Sequence, residues 1–219
     1  MTPDDIIPII IFSLVGLFFI IWILRELKRS KDLRTLAERL KMNYIKKPGP
    51  QVANSHLFFD LFNRGRGKKV SHWMQRSVQD LQTNYFEYQF VTGHGKNSTT
   101  HRQSVVSITG PTIQLPQFVM QPENMMHRIA QKFKEDDIDF DAFPTFSKMF
   151  QLKGRDEAAI RAVFTDETLR FLEERKGLCI EAQGDRIIFY GKRHRYPIKQ
   201  IEGFIKQSLE TVDLLNRKI

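Results

Sequence analysis

The sequence predicts an α+β protein: an N-terminal transmembrane helix followed by a cytoplasmic domain of antiparallel hairpins packed with helices. Three observations carry this expectation. Ile6 to Leu24 runs without an ionisable side chain. Two segments, 85–109 and 178–190, alternate apolar and polar residues around turn signals. The last twenty or so residues from Pro197 keep one apolar face at helical spacing. Strand-like and helix-like segments are grouped rather than strictly alternating, which favours hairpins over a parallel sheet.

The apolar run comes first. At 1.5 Å per residue its length is about 28 Å, close to the hydrocarbon thickness of a bilayer. Asp4 and Asp5 precede it and Arg25-Glu26-Leu27-Lys28 follows, unlike the basic leader and small-residue cleavage site of a signal peptide. The run is therefore expected to remain as a single-pass anchor. Arg25, Lys28, Arg29, Lys31 and Arg34 outweigh Glu26 and Asp32 on its C-terminal side, so the positive-inside rule puts the N-terminus outside and the domain in the cytoplasm. The predicted division is an anchor with its basic flank at 1–31, an amphipathic stalk and first strand at 32–46, and an α+β domain at 47–219.

The remaining elements follow in order. Leu33, Leu36, Ala37 and Leu40 give the stalk one apolar face, and Tyr44-Ile45 reads as a short strand before the proline-broken loop Lys47-Pro48-Gly49-Pro50. The apolar cluster Leu57–Phe62 leads into Asn63–Lys69, predicted as an exposed basic turn, and Val70–Val78 as a strand. Phe86, Tyr88 and Phe90 alternate with Glu87 and Gln89, and this strand faces Gln103–Thr109 across a polar tip. Ile113–Met120 is a further strand. Pro122 stands where a first helical residue would, ahead of Met125, Met126, Ile129, Ala130 and Phe133. Phe146–Leu152 is read as a strand, Asp156 as the start of a short helix, and Thr165 with Asp166 and Glu167 as the N-cap of another that Gly177 closes. Gly184-Asp185 between two apolar runs suits a type II′ hairpin turn. Ile198, Ile201, Phe204, Ile205, Leu209, Val212 and Leu215 form the face of the final helix.

The stalk 33–40, the loop Gly93–Arg102, Asp137-Ile138-Asp139-Phe140 and Phe164-Thr165-Asp166-Glu167 resemble a widespread group of bacterial single-pass membrane proteins of unknown function. The resemblance covers most of residues 33–217. It implies an inner-membrane location and an anchored α+β layout, and no active site.

Composition narrows the chemistry. The chain of 219 residues carries a net charge of +9, is 41% hydrophobic and has a single cysteine, Cys179. These values exclude a disordered chain, a disulfide scaffold and a multi-cysteine zinc site. Gly93-His94-Gly95-Lys96-Asn97-Ser98 lacks the upstream glycine, the Ser or Thr after lysine and the following helix of a phosphate loop. The acidic run Glu135–Asp141 fails the EF-hand pattern, with Ala142 and Lys148 where glycine and glutamate belong. The histidines at 56, 72, 94, 101, 127 and 194 show no metal-ligand spacing. No cofactor, metal or catalytic residue is assigned.

The basic residues are the candidate site. Arg25, Lys28, Arg29, Lys31, Arg64, Arg66, Lys68, Lys69, Lys192, Arg193 and Arg195 are expected to meet an anionic surface. Lipid headgroups are the favoured ligand, since each cation near an anionic leaflet contributes about 1 kcal/mol. Nucleic acid is disfavoured for want of a recognised motif. The predicted function is a membrane-anchored interaction or accessory module, a possible small subunit of a membrane assembly with a membrane-associated protein partner. The alternative is a membrane-surface enzyme or binding protein acting on an anionic lipid or other anionic ligand, with Asp137, Asp139, His94 and His101 as the participants of an enzyme.

Overall fold

The computed structural model describes residues 3–49, 51–123, 137–191 and 195–217, without the side chains of 3–11, 53 and 54. Eight strands form one sheet in the order β1-β2-β3-β4-β8-β7-β5-β6, every neighbouring pair antiparallel. They are β1 (Asn43–Ile45), β2 (Arg66–Val78), β3 (Leu81–Thr92), β4 (Thr99–Thr109), β5 (Leu115–Pro122), β6 (Phe150–Gly154), β7 (Leu178–Gly184) and β8 (Arg186–Gly191). The helices are α1 (Pro3–Arg39), the short α2 (Gln51–Asn54) and α3 (Asp60–Asn63), α4 (Pro144–Met149), α5 (Glu157–Val163), α6 (Asp166–Glu173) and α7 (Ile198–Asn216).

Both faces of the sheet are covered, because successive side chains of a strand point to opposite sides. On one face Met74, Tyr85, Val106, Ile180 and Phe189 pack under Leu33, Leu36 and Ala37 of α1 and Ile201, Phe204 and Val212 of α7. On the other, Trp73, Phe86, Tyr88, Phe90 and Tyr190 pack under Phe59, Leu61 and Phe62. The predicted apolar cluster 57–62 is thus the lid of a second core. It is held by Glu181, buried in the sheet, whose carboxylate accepts from the Asp60 and Leu61 amides at 2.5 and 3.1 Å and from the Tyr190 hydroxyl at 2.7 Å.

Several local signals are realised. Asp156 accepts from the Ala159 amide at 2.9 Å to cap α5, and Thr165 from the Thr168 amide at 3.4 Å to cap α6. Gln183 faces Arg186 across Gly184-Asp185, and Gly184 has φ +61, as the first central residue of a type II′ turn requires.

Other expectations are corrected. Among the described residues no helix is long and apolar enough to cross a membrane. The described side chains of α1 give an uncharged stretch only from Phe12 to Leu24, about 20 Å of helix, before Arg25, Glu26, Lys28 and Arg29 intervene. The first part of the predicted run, Ile6–Ile11, lies outside the described side chains. The transmembrane element of the predicted fold class is therefore withdrawn. The basic turn 63–69 is half strand, since β2 begins at Arg66 and Gly65 and Gly67 take φ near +60 beside a register shift. Pro122 ends β5 opposite Phe150 instead of starting a helix, and 124–134 lie outside the described residues. The front of the predicted strand 146–152 is α4, started by Pro144, whose fixed φ suits a first helical turn.

Candidate functional site

The site lies where α1 meets the sheet. Its sequence origin is an irregularity in β2: Ser71 pairs with Glu87 but Met74 with Tyr85, so one extra residue is accommodated between them. The bulge lets Val70 and Trp73, three apart, share the second core. His72 takes up the mismatch at φ 54, a region uncommon for a residue with a Cβ, and is buried against α1. An observed backbone outlier of this kind marks a position that the surroundings over-determine.

A polar chain runs from there. The His72 amide donates to the Lys46 carbonyl at 3.0 Å. Its Nε2 meets Glu26 Oε1 at 3.4 Å and its Nδ1 the Tyr44 hydroxyl at 2.8 Å, which in turn meets Ser30 Oγ at 3.1 Å. Glu87, 4% exposed, accepts from Arg29 Nε at 2.6 Å and from Arg195 Nη1 at 3.0 Å. Arg195 also pairs with Glu26 at 3.2 Å, and Arg29 donates to the Tyr196 carbonyl at 2.9 Å. The network joins α1, β1, β2, β3 and the segment before α7. Burial alone would raise Glu26, but Arg195 and His72 outweigh it and hold the carboxyl below its ordinary value. Burial likewise opposes the charge on Arg195, and Glu87 and Glu26 overcome it.

Glu26, His72 and Glu87 offer ligand atoms within 4.8 Å of one another, a grouping that could hold a metal ion. The Arg195 guanidinium lies between the two carboxylates, at 3.2 and 3.0 Å. A dication would have to displace it, so the donor set fits an ion-pair clamp better than a metal centre.

Above the clamp opens a cavity of about 270 Å³. Lys46, Lys47, Lys69 and Arg102 stand around it, with Ser71, Gln89 and Trp22 of α1 also in its lining. Among the described residues none of these four cations has a carboxylate within ion-pair distance, whereas Glu26 and Glu87 are already matched by Arg29 and Arg195. The cavity is cationic.

The predicted anionic contacts divide accordingly. Lys69 and Arg195 reach this site, and Arg29 lies beneath it in the clamp. Arg25, Lys28 and Lys31 are exposed along α1. Arg64 is used internally, pairing with Asp60 at 2.6 Å at the lid of the second core, and Arg66 donates to the Gly93 carbonyl. Lys68 is exposed, while Lys192 and Arg193 lie outside the described residues. Sequence reasoning missed Glu26, His72, Glu87, Lys46, Lys47 and Arg102. The one local signal is the acidic Glu87 set between Phe86 and Tyr88 in an alternating strand.

The four residues of the enzyme alternative do not converge. His101 is buried, bonded to Thr92 Oγ1 at 2.7 Å and stacked on Phe90, while His94 is exposed at the hairpin tip. Asp137 accepts from the Leu152 amide at 2.7 Å, burial raises its carboxyl, and Asp139 is exposed. A second cleft, about 670 Å³, passes His56 and Ser107. His56 Nδ1 donates to the Val52 carbonyl at 2.8 Å, so Nε2 accepts from Ser107 at 3.0 Å. Ser107 is fully buried, and the pair ties the lid to the sheet.

Fold and site together define an antiparallel α+β module with a helix clamped to its sheet beside a cationic cavity. The sequence matches no known protein family, and no curated protein is significantly similar to it. The structure is similar to the crystal structure of the mycobacterial trehalose monomycolate transport factor A, TtfA, with a TM-score of 0.58 and 7% sequence identity, covering 85% of this chain and 92% of that one. At this identity the likeness establishes a shared fold.

Proposed function

We propose that this protein is a membrane-associated accessory module, attached through the apolar part of α1 and working beside membrane transport proteins. The observation that carries the reading is the two-part character of α1. From Phe12 to Leu24 its large side chains are exposed, Phe12 at 76% and Phe18 at 68%, while Leu33 and Ala37 of the same helix are fully buried in the domain. An uncovered apolar surface of this extent calls for a partner phase. The clamp at Glu26, Arg29, Glu87 and Arg195 sits where the exposed part ends, and would fix the orientation of the domain relative to that phase. The likeness to a transport factor supports the class of partner.

The location that fits is the bacterial cytoplasmic membrane with the domain on its cytoplasmic side, because the exposed Arg25, Lys28 and Lys31 beside the apolar stretch suit the anionic cytoplasmic leaflet. Membranes prepared from cells carrying the tagged full chain test both parts of the reading. Co-sedimentation that survives a high-salt wash, with membrane transport proteins co-purifying in mild detergent, is expected. Recovery in the soluble fraction would overturn it, and protease access to the domain in right-side-out vesicles would overturn the sidedness.

A further inference from the structure

The cavity beside the clamp is built for an anion, and its surroundings say which kind. We propose that the cavity bounded by Lys46, Lys47, Lys69 and Arg102 binds the phosphate of an anionic lipid headgroup; this rests on the membrane reading above. Four cations with no carboxylate partner among the described residues surround about 270 Å³, and Glu26 and Glu87 are neutralised by Arg195 in the cavity lining and Arg29 behind it. The cations come from three separate places in the chain, the loop after β1, β2 and β4, brought together by the sheet order. Ser71 and Gln89 add neutral hydrogen-bonding side chains on the same wall, the kind that complete the coordination of phosphate oxygens.

A lipid is favoured over a nucleic acid by position. Trp22 lines the cavity and belongs to the exposed apolar stretch of α1, one helical turn before Glu26. Tryptophan favours the headgroup level of a bilayer. A bilayer that received Phe12–Leu24 would therefore present its headgroups at the mouth of the cavity. The His72 backbone, held in the left-handed region at the bulge, keeps the floor in place rather than touching the anion itself.

The test uses the full chain with phosphatidylcholine vesicles and with vesicles in which part of the lipid is phosphatidylglycerol. The neutral vesicles report attachment through α1; the increment on adding phosphatidylglycerol reports the cavity. In Lys46→Gln/Lys47→Gln/Lys69→Gln the increment should fall on the order of 100-fold, about 5-fold for each cation, with neutral-vesicle binding unchanged. The control Lys148→Gln/Lys153→Gln/Lys176→Gln removes the same charge away from the cavity, toward the opposite edge of the sheet, and should keep most of the increment. Matched circular dichroism and thermal melts for all three proteins exclude misfolding as the cause.

Equal loss in control and cavity variants would overturn the proposal, since the effect would then be diffuse surface charge. So would an unchanged increment in the cavity variant, or lysine-dependent binding of homopolymeric RNA with no phosphatidylglycerol increment. Soluble glycerol phosphate and inorganic phosphate distinguish the source: the proposal expects neither to displace vesicles at concentrations far above that of the lipid phosphate, and efficient displacement would assign the cavity to a soluble phosphate instead. Failure to bind neutral vesicles, with a retained lysine-dependent increment, would remove the attachment reading and leave the headgroup site standing.

Discussion

Replacing Glu87 by alanine removes the one carboxylate that both clamp arginines share. Glu87 is 4% exposed at its side chain, Arg29 15% and Arg195 25%, so all three lie well inside the range where solvent relieves little of an unpaired charge. Breaking a buried pair from one side typically costs about 3–5 kcal/mol. Arg29 keeps the Tyr196 carbonyl at 2.9 Å and Arg195 keeps Glu26 at 3.2 Å, which argues for the lower end, about 3 kcal/mol. For a domain of this size that corresponds to a drop in Tm of roughly 6–12 °C. Arg195→Ala should cost less, about 1–2 kcal/mol, because Glu87 retains Arg29 and the partly exposed Glu26 regains water. The double variant should fall short of the sum, since the two residues share one contact. Urea unfolding of the full chain in mild detergent gives the stabilities, and amide exchange along residues 29–39 shows whether α1 loosens first. A loss below 1 kcal/mol for Glu87→Ala, or a larger loss for Arg195→Ala, would refute the claim that this carboxylate is the hub of the clamp.

Leu33→Ala, at a fully buried position of α1 against the sheet, should cost about 2–5 kcal/mol in the same unfolding assay. Burial lowers the pKa of His56, with the Val52 carbonyl opposing it and Arg186 adding to the lowering. The unfolded chain therefore binds its proton first as pH falls, so stability should hold above about 6.5 and decline below it, and Tm measured against pH should show a shallower decline in His56→Gln. A Cβ at Gly154 would run into the Gln117 carbonyl and Ile160 Cδ1, so Gly154→Ala should destabilise by about 1–3 kcal/mol as measured by thermal melting.

How far the sequence speaks for the structure depends on whether a feature is local. The β7–β8 hairpin was legible because Gly184-Asp185 meets the demand of its turn, and the starts of α5 and α6 because Asp156 and Thr165 supply the cap oxygens themselves. The face of α7 was legible from period alone, and Ile201, Phe204, Val212 and Leu215 are buried. The sheet order was not. Placing β5 between β6 and β7 depends on pairings such as Met120 with Leu152 and with Ile180, which no neighbouring residues encode. The clamp is hidden in the sequence for a related reason. An alternating strand assigns Glu87 to water only if one face is bare, and α1, far away in sequence, covers that face. Arg29 and Arg195, expected to meet an external anion, are partners of an internal one. The bulge at His72 had no glycine to announce it, because its cause is the shared burial of Val70 and Trp73. Lys69 alone of the basic turn reached the cavity, where Lys46, Lys47 and Arg102 joined it from elsewhere in the chain.

The proposed attachment of the folded domain to a membrane runs through the apolar part of α1. Phe18 and Ile21, 68% and 41% exposed, stand on that part, ahead of the clamp, so Phe18→Asp/Ile21→Asp should leave the domain's melting unchanged. Flotation of this variant beside the unaltered chain on phosphatidylcholine vesicles is the most direct measurement. The unaltered chain should float and the variant should stay at the bottom of the gradient. Flotation of both, or of neither, would contradict that attachment.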